Sequence, residues 1–222
     1  MSLCERRPLF TTVSLALAGL LFIAFPLSRP WGDKEDLNQV GEGPAADAFA
    51  SHAWLISHSF GIFAITFLAI GFWGLRLHLA GTSVARSAGV GAILVLLGAG
   101  MVLPYFGMET FGLHFLANNF GASEAWALAD DLRGHGLAMT LFGIGLIVLA
   151  IGAVLVATAV SREGSLNRWA GYVMAGGLVL YLPQFFFPPF ARVAHGLLLG
   201  LALLWMAWSA WQSKPKGDVE ST

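Results

Sequence analysis

Residues 137–160 read LAMTLFGIGLIVLAIGAVLVATAV, and none of these side chains carries a charge. A helix needs about 20 apolar residues to cross roughly 30 Å of hydrocarbon, so this stretch is long enough to span. It is continuously apolar and does not alternate, which argues against the strand of a membrane barrel. Reading outward from it, similar runs follow at Ala170–Phe187 and Val193–Trp211 and precede it at Leu9–Leu27, Trp54–Leu75 and Ala88–Phe106. The expectation is an all-α integral membrane protein, a bundle of six transmembrane helices in one domain spanning residues 1–222.

Composition agrees. The chain has 222 residues, 57% of them hydrophobic and only 11% charged, where a soluble domain carries about 25% charge. A net charge of −1 and the absence of a basic run exclude a nucleic-acid partner; the lipid bilayer is the expected one. The single cysteine, Cys4, excludes an intrachain disulfide and any cysteine-based metal or redox motif. Leu9–Leu27 follows Arg6 and Arg7 like a signal peptide. Its length and the lack of a small-residue cleavage site make it a retained first span.

Lysine and arginine set the orientation. With the N-terminus inside, inner segments hold Arg6, Arg7, Arg76, Arg86, Arg162, Arg168, Lys214 and Lys216, eight against the four outer residues Arg29, Lys34, Arg133 and Arg192. Both termini are therefore expected in the cytoplasm of a plasma (inner) membrane protein. The polar tail at 212–222 lies inside, and the loops at 28–53 and 107–136 lie outside. Glycines inside the spans, such as Gly98, Gly145 and the pair Gly196 and Gly200, suit close helix packing within the bundle.

The spans read as three hairpins. Each odd span begins after an arginine and ends in proline: Arg7 to Pro26, Arg86 to Pro104, Arg168 to Pro183. Each even span carries a histidine near its outer start: His58, His135 and His195. Gly43-Pro44 and Ser123-Glu124 look like helix starts, so spans two and four are expected to project beyond the outer face as continuous helices. Pro104 and Gly107 are expected to break span three. The mostly apolar segment after them, Gly107–Phe120, is read as a short helix on the outer interface.

The polar residues gather on that outer side. Ionisable groups within spans are costly and face the bundle interior, so His58, His135 and His195 form the first candidate set, with Glu109 and His114 beside them. Asp131 precedes His135 by four residues and is placed to orient it as a second carboxylate ligand shell would. Arg192 precedes His195 by one turn, and His52 lies nearby in sequence to His58. Three readings fit: a transition-metal site of imidazoles and a carboxylate, for zinc, copper or iron; one outer b-type haem held by two histidines; or histidines with structural roles only.

Sharper motifs fail. His114-x-x-x-Asn118 and Ala194-His195-Gly196 resemble parts of the rhomboid intramembrane proteases, yet span four, where that family needs its nucleophile, contains no serine. The three-hairpin layout is similar to that of mitochondrial carriers, whose charged motif after each odd helix is missing. The working expectation is redox or lipid-soluble-substrate chemistry at an outer His/Glu/Asp pocket. One alternative is a non-enzymatic subunit or assembly protein docking a protein partner through the outer loops. The other is a small-solute transporter, disfavoured because the inner halves of the spans are nearly pure hydrocarbon.

Overall fold

The computed structural model describes residues 3–33 and 42–213, with side chains from residues 9 and 43 onward in the two stretches. Lys34, Lys214 and Lys216, used in the orientation argument, lie outside the described residues, as do most of the tail and the side chains of Cys4, Arg6 and Arg7.

The described elements are all helical: α1 (Leu3–Ser28), α2 (Glu42–Ala50), α3 (His52–His78), α4 (Ala85–Gly107), a π-helical turn (Met108–Gly112), α5 (Leu113–Asn119), α6 (Ala122–Gly134), α7 (Gly136–Glu163), α8 (Arg168–Val179), a 3-10 turn (Pro183–Phe186) and α9 (Pro189–Gln212). Five stretches are long and apolar enough to cross a membrane: Leu9–Ser28, His52–His78, Ala85–Asn119, Gly136–Glu163 and Pro189–Gln212. Their outward faces carry exposed Leu20, Ile147, Leu201 and Trp208. A lipid environment accepts such side chains and water does not.

Residues 170–187 depart from the expected long helix. Helix α8 stops at Val179, the chain turns through Leu180–Leu182, and a 3-10 turn follows from Pro183. Gly176 and Gly177 weaken the last helical turn, and Pro183 has no N–H to continue it. The segment still travels the length of the bundle. At its start the Asn167 N–H donates to Ser209 Oγ near the end of α9. At its finish Phe185 packs edge-on against Phe142 in the second turn of α7, 5.3 Å between ring centres.

Two other boundaries differ from expectation. Pro104 does not break α4: the helix runs on through the π-helical turn into α5. The Pro104 carbonyl accepts from the Met108 N–H, and Thr110 Oγ donates to the Phe106 carbonyl at 2.6 Å, so carbonyls around the irregular turn stay satisfied. Conversely, the helices expected to project unbroken from the outer face are each interrupted. Ser51 separates α2 from α3 and caps the latter, its Oγ accepting from the Trp54 N–H. His135, in extended backbone (φ −57°, ψ 120°), separates α6 from α7.

Helix α1 packs on α3 and α9, α4 packs on α7, and α8 packs between α7 and α9. The closest approaches use glycine. A methyl group added at Gly98 would lie 2.5 Å from the Gly145 carbonyl oxygen, and one at Gly91 would lie 2.7 Å from that of Gly152. Gly196 and Gly200 face α1, at Pro26 and Ile23, so this pair serves packing inside the bundle. At one end of the bundle α2, α5 and α6 contact one another and form a cap around a small core of Ala45, Ala48, Phe49, Trp54, Leu113 and Ala129.

Candidate functional site

Under the cap, at the end of the bundle where α3, α7 and α9 begin, lies a cavity of about 540 Å³. Its wall combines the aromatic rings of Phe25, Phe106, Phe142, Phe185 and Phe186 with the polar groups of Arg29, Asp33, His58, Glu109, Asp130, Arg133 and Arg192. The irregular backbone described above is what delivers these groups. The π-helical turn carries Glu109, the chain leaving α1 carries Arg29 and Asp33, the last turn of α6 carries Arg133, and the first turn of α9 carries Arg192.

Glu109 and Arg133 form a two-pronged ion pair, Nε to Oε1 at 2.7 Å and Nη2 to Oε2 at 3.0 Å. The same Arg133 Nη2 reaches Asp33 Oδ2 at 3.1 Å, which also accepts from Arg29 Nη2 at 2.8 Å. Desolvation opposes the Arg133 charge, but the neighbouring Glu109 and Asp33 carboxylates outweigh it and raise its pKa above the ordinary arginine value. Arg133 is thus a permanent cation and a fixed anchor for both acids. Two-pronged pairs of this kind hold geometry as well as charge.

Trp54 organises the site from below. Its Nε1 donates to the Glu109 backbone carbonyl at 2.8 Å, tying α3 to the π-helical turn. Its ring stacks on His58, 3.8 Å between centres, and lies 4.9 Å from the Arg29 guanidinium, whose other neighbour is Trp31 at 4.3 Å. Arg29 Nε and Nη1 are buried without a hydrogen-bond partner. The two indole faces replace part of that solvation through cation–π attraction.

His58 Nδ1 lies 2.9 Å from the Trp54 carbonyl. A carbonyl only accepts, so the proton sits on Nδ1 and leaves Nε2 as a bare acceptor in the neutral ring. That Nε2 is 3.9 Å from Glu109 Oε2, too far for a hydrogen bond. His58 therefore offers a hydrogen-bond-accepting nitrogen at the cavity wall, beside a carboxylate clamped by Arg133.

The expected histidine set is only partly assembled here. His58 and Glu109 meet as described. His195 is buried but points elsewhere, its Nε2 held 2.7 Å from the Gly177 carbonyl. His135 is exposed in the link between α6 and α7. Asp131, on α6, is likewise exposed, and the break at His135 removes the shared helix face expected for the two. His114 bonds the Phe49 carbonyl through Nδ1 at 2.8 Å, and its ring lies 6.5 Å from that of exposed His52 on the cap. Among the described residues, no group of three or more His, Cys, Asp or Glu side chains is close enough to hold a metal ion. Neither the three-imidazole metal site nor the haem reading finds support among the described residues.

Arg29 and Arg133 enter the sequence reading only as charges that set orientation, and Asp33 does not enter it. Their signal was present: Arg29 and Asp33 are opposite charges four residues apart, around Pro30-Trp31-Gly32, directly after an apolar span. Arg192 was singled out, but as a neighbour of His195; it is the cavity it lines. Gln184 holds its Nε at 3.2 Å. No family model, curated protein or solved structure matches the chain.

Proposed function

We propose that this is a plasma-membrane protein of six crossings, both termini inside, that binds a lipid-soluble molecule in the cavity under its outer cap. The observation that carries this reading is the make-up of the cavity, with phenylalanines interleaved with charged groups at the end of a bundle whose outer surface is apolar. A lipid-soluble molecule with one polar end matches such a wall, as small-molecule sites combine apolar surface with a few placed polar groups. His58 Nε2 is the group suited to accept a hydrogen bond from the polar end of the bound molecule. A sixth crossing at 168–187 is supported by its end-to-end course between the Ser209 and Phe142 contacts. The succession of α1 on α3, α4 on α7 and α8 on α9 supports the three-hairpin reading.

Binding is tested by extracting the purified protein with organic solvent and weighing what is released. A defined amphiphile at about one per chain is expected, and it should be lost in Gly134→Trp. Gly134 lines the cavity and has open space beside it. If only bulk membrane lipid is released, in the same proportion from both proteins, the reading fails. Crossing number is tested in a Cys4→Ser background with a membrane-impermeant maleimide on intact cells. Phe187→Cys and Asp130→Cys should label, while Ser165→Cys and Gly81→Cys should not. Labelling of Ser165→Cys would refute the topology.

A further inference from the structure

Three arginines, Arg29, Arg133 and Arg192, and three acids, Asp33, Glu109 and Asp130, line the cavity, but they are not paired one to one. Asp33 and Glu109 both bond to Arg133, and Asp33 also bonds to Arg29. Arg192 is 6% exposed and makes one hydrogen bond, from Nε to Gln184 Oε1. Among the described residues, no carboxylate lies within ion-pair distance of it. Its guanidinium sits over Trp31 at 5.1 Å and Phe185 at 5.0 Å, and Arg29 lies over the same Trp31 at 4.3 Å. Two cations thus share one indole, while neither nearby acid touches Arg192. Arginine stays charged in proteins, and a buried charge without a partner is strongly unfavourable. Arg192 lines the cavity, so an anion entering there is the partner this arrangement lacks.

A second feature indicates what that anion is attached to. Where α8 ends short, an apolar groove of about 440 Å³ opens against α7, walled by Leu146, Ile147, Ile151, Val154, Val179 and Leu182. Leu182 also lines the charged cavity, so the groove adjoins it. Ile147, Ile151, Val154 and Val179 are exposed at its rim, on a surface that lipid would cover.

We propose that the cavity and the groove together hold one anionic lipid, its carboxylate or phosphate on Arg192 and its acyl chain along the cleft between α7 and α8. This rests on the reading of the cavity as a site for a lipid-soluble molecule and adds the charge and the tail. An ionised partner on a buried guanidinium contributes on the order of 1.5–3 kcal/mol, tenfold or more in affinity.

The test uses native mass spectrometry of the full chain in neutral detergent. Probes are phosphatidylcholine, phosphatidylglycerol and oleate at equal concentration, and inorganic phosphate alone. The expected result is binding of phosphatidylglycerol or oleate at least about tenfold tighter than phosphatidylcholine. Arg192→Gln should abolish that preference without abolishing lipid binding, and Arg192→Lys should keep part of it. Ile151→Trp, which fills the groove, should weaken every lipid. Equal binding of neutral and anionic lipids by the wild type overturns the anionic assignment and leaves the amphiphile reading standing. Binding of phosphate but of no lipid overturns the tail. Binding of nothing overturns both. Should Arg192→Gln fail to fold, the wild-type preference and the Ile151→Trp series decide the matter by themselves.

Discussion

Helices α4 and α7 meet in the half of the bundle away from the cap through Gly91 and Gly152, backbone nearly touching backbone. The buried polar side chains described on that side are Thr11 and Ser14 of α1. At the other end, α3, α6 and the chain leaving α1 meet through Arg29, Asp33, Glu109 and Arg133, with Trp54 beneath them. One end is held by shape and the other by charge. Close apolar packing tolerates little added volume but has no partner to lose. An ion network leaves a charge stranded when any member goes. The first suits a scaffold, the second a place where a polar molecule is received.

The largest effect that would sharpen this contrast is Arg133→Met. It leaves the Glu109 carboxylate nearly buried without its two-pronged partner, at a cost of about 3–5 kcal/mol. Thermal unfolding in detergent should show a large fall. The double variant Arg133→Met with Glu109→Gln should recover much of it, and a double variant no better than the single would break the network account. Next comes Gly91→Val at the packed end, expected to lower stability by about 1–3 kcal/mol through overpacking. Gly100→Val, whose added atoms meet nothing within 4 Å, should change it by less than about 0.5 kcal/mol. Equal losses from the two valines would show that helix contact is not what limits the packed end.

Helix caps should be indifferent to the contrast. Ser51→Ala at the cap end and Asn167→Ala at the opposite end each remove a side-chain acceptor for the first N–H groups of a helix. Each should cost about 1 kcal/mol by thermal unfolding. A much larger loss at Ser51 would mean that the break between α2 and α3 also supports the cavity. The smallest expected effect is His135→Ala, within about 0.5 kcal/mol and with unchanged lipid retention, because the ring is exposed. A loss of bound lipid in that variant would restore His135 to the site.

Much of the helical architecture could be read directly. Runs such as Leu137–Val160 have too few polar groups for any other environment, and five of the six expected stretches are helices of spanning length. The interior role of Gly196 and Gly200 was also legible, because small residues four apart permit close approach. What failed was the treatment of breakers. Pro104 was read as a stop, yet α4 passes through it, since a π-helical turn and Thr110 Oγ take up the irregularity. Ser51 and His135 were read as helix interior, yet both are breaks. A proline's missing N–H is visible in sequence; whether a neighbouring side chain compensates for it depends on packing.

The candidate site was legible as a place more than as a set of residues. Polar residues do concentrate at one end, and His58, Glu109 and Arg192 do line one cavity. His135 and His195 were grouped with them by analogous position, and position along a span does not say which way a ring points. His195 turns to the Gly177 carbonyl instead.

Hydropathy and length, summed over runs of about 20 residues, determined that this chain is a membrane-type helical bundle, because transfer into hydrocarbon is a bulk property of composition. Which charges pair was decided only by the fold. Arg133 reaches Glu109 across 24 positions and Asp33 across 100. Ion pairing acts over a few ångströms, and such distances between remote residues exist only once the helices have packed. The same packing leaves Arg192 without an acid beside it, and no count of charges along the chain would have singled it out.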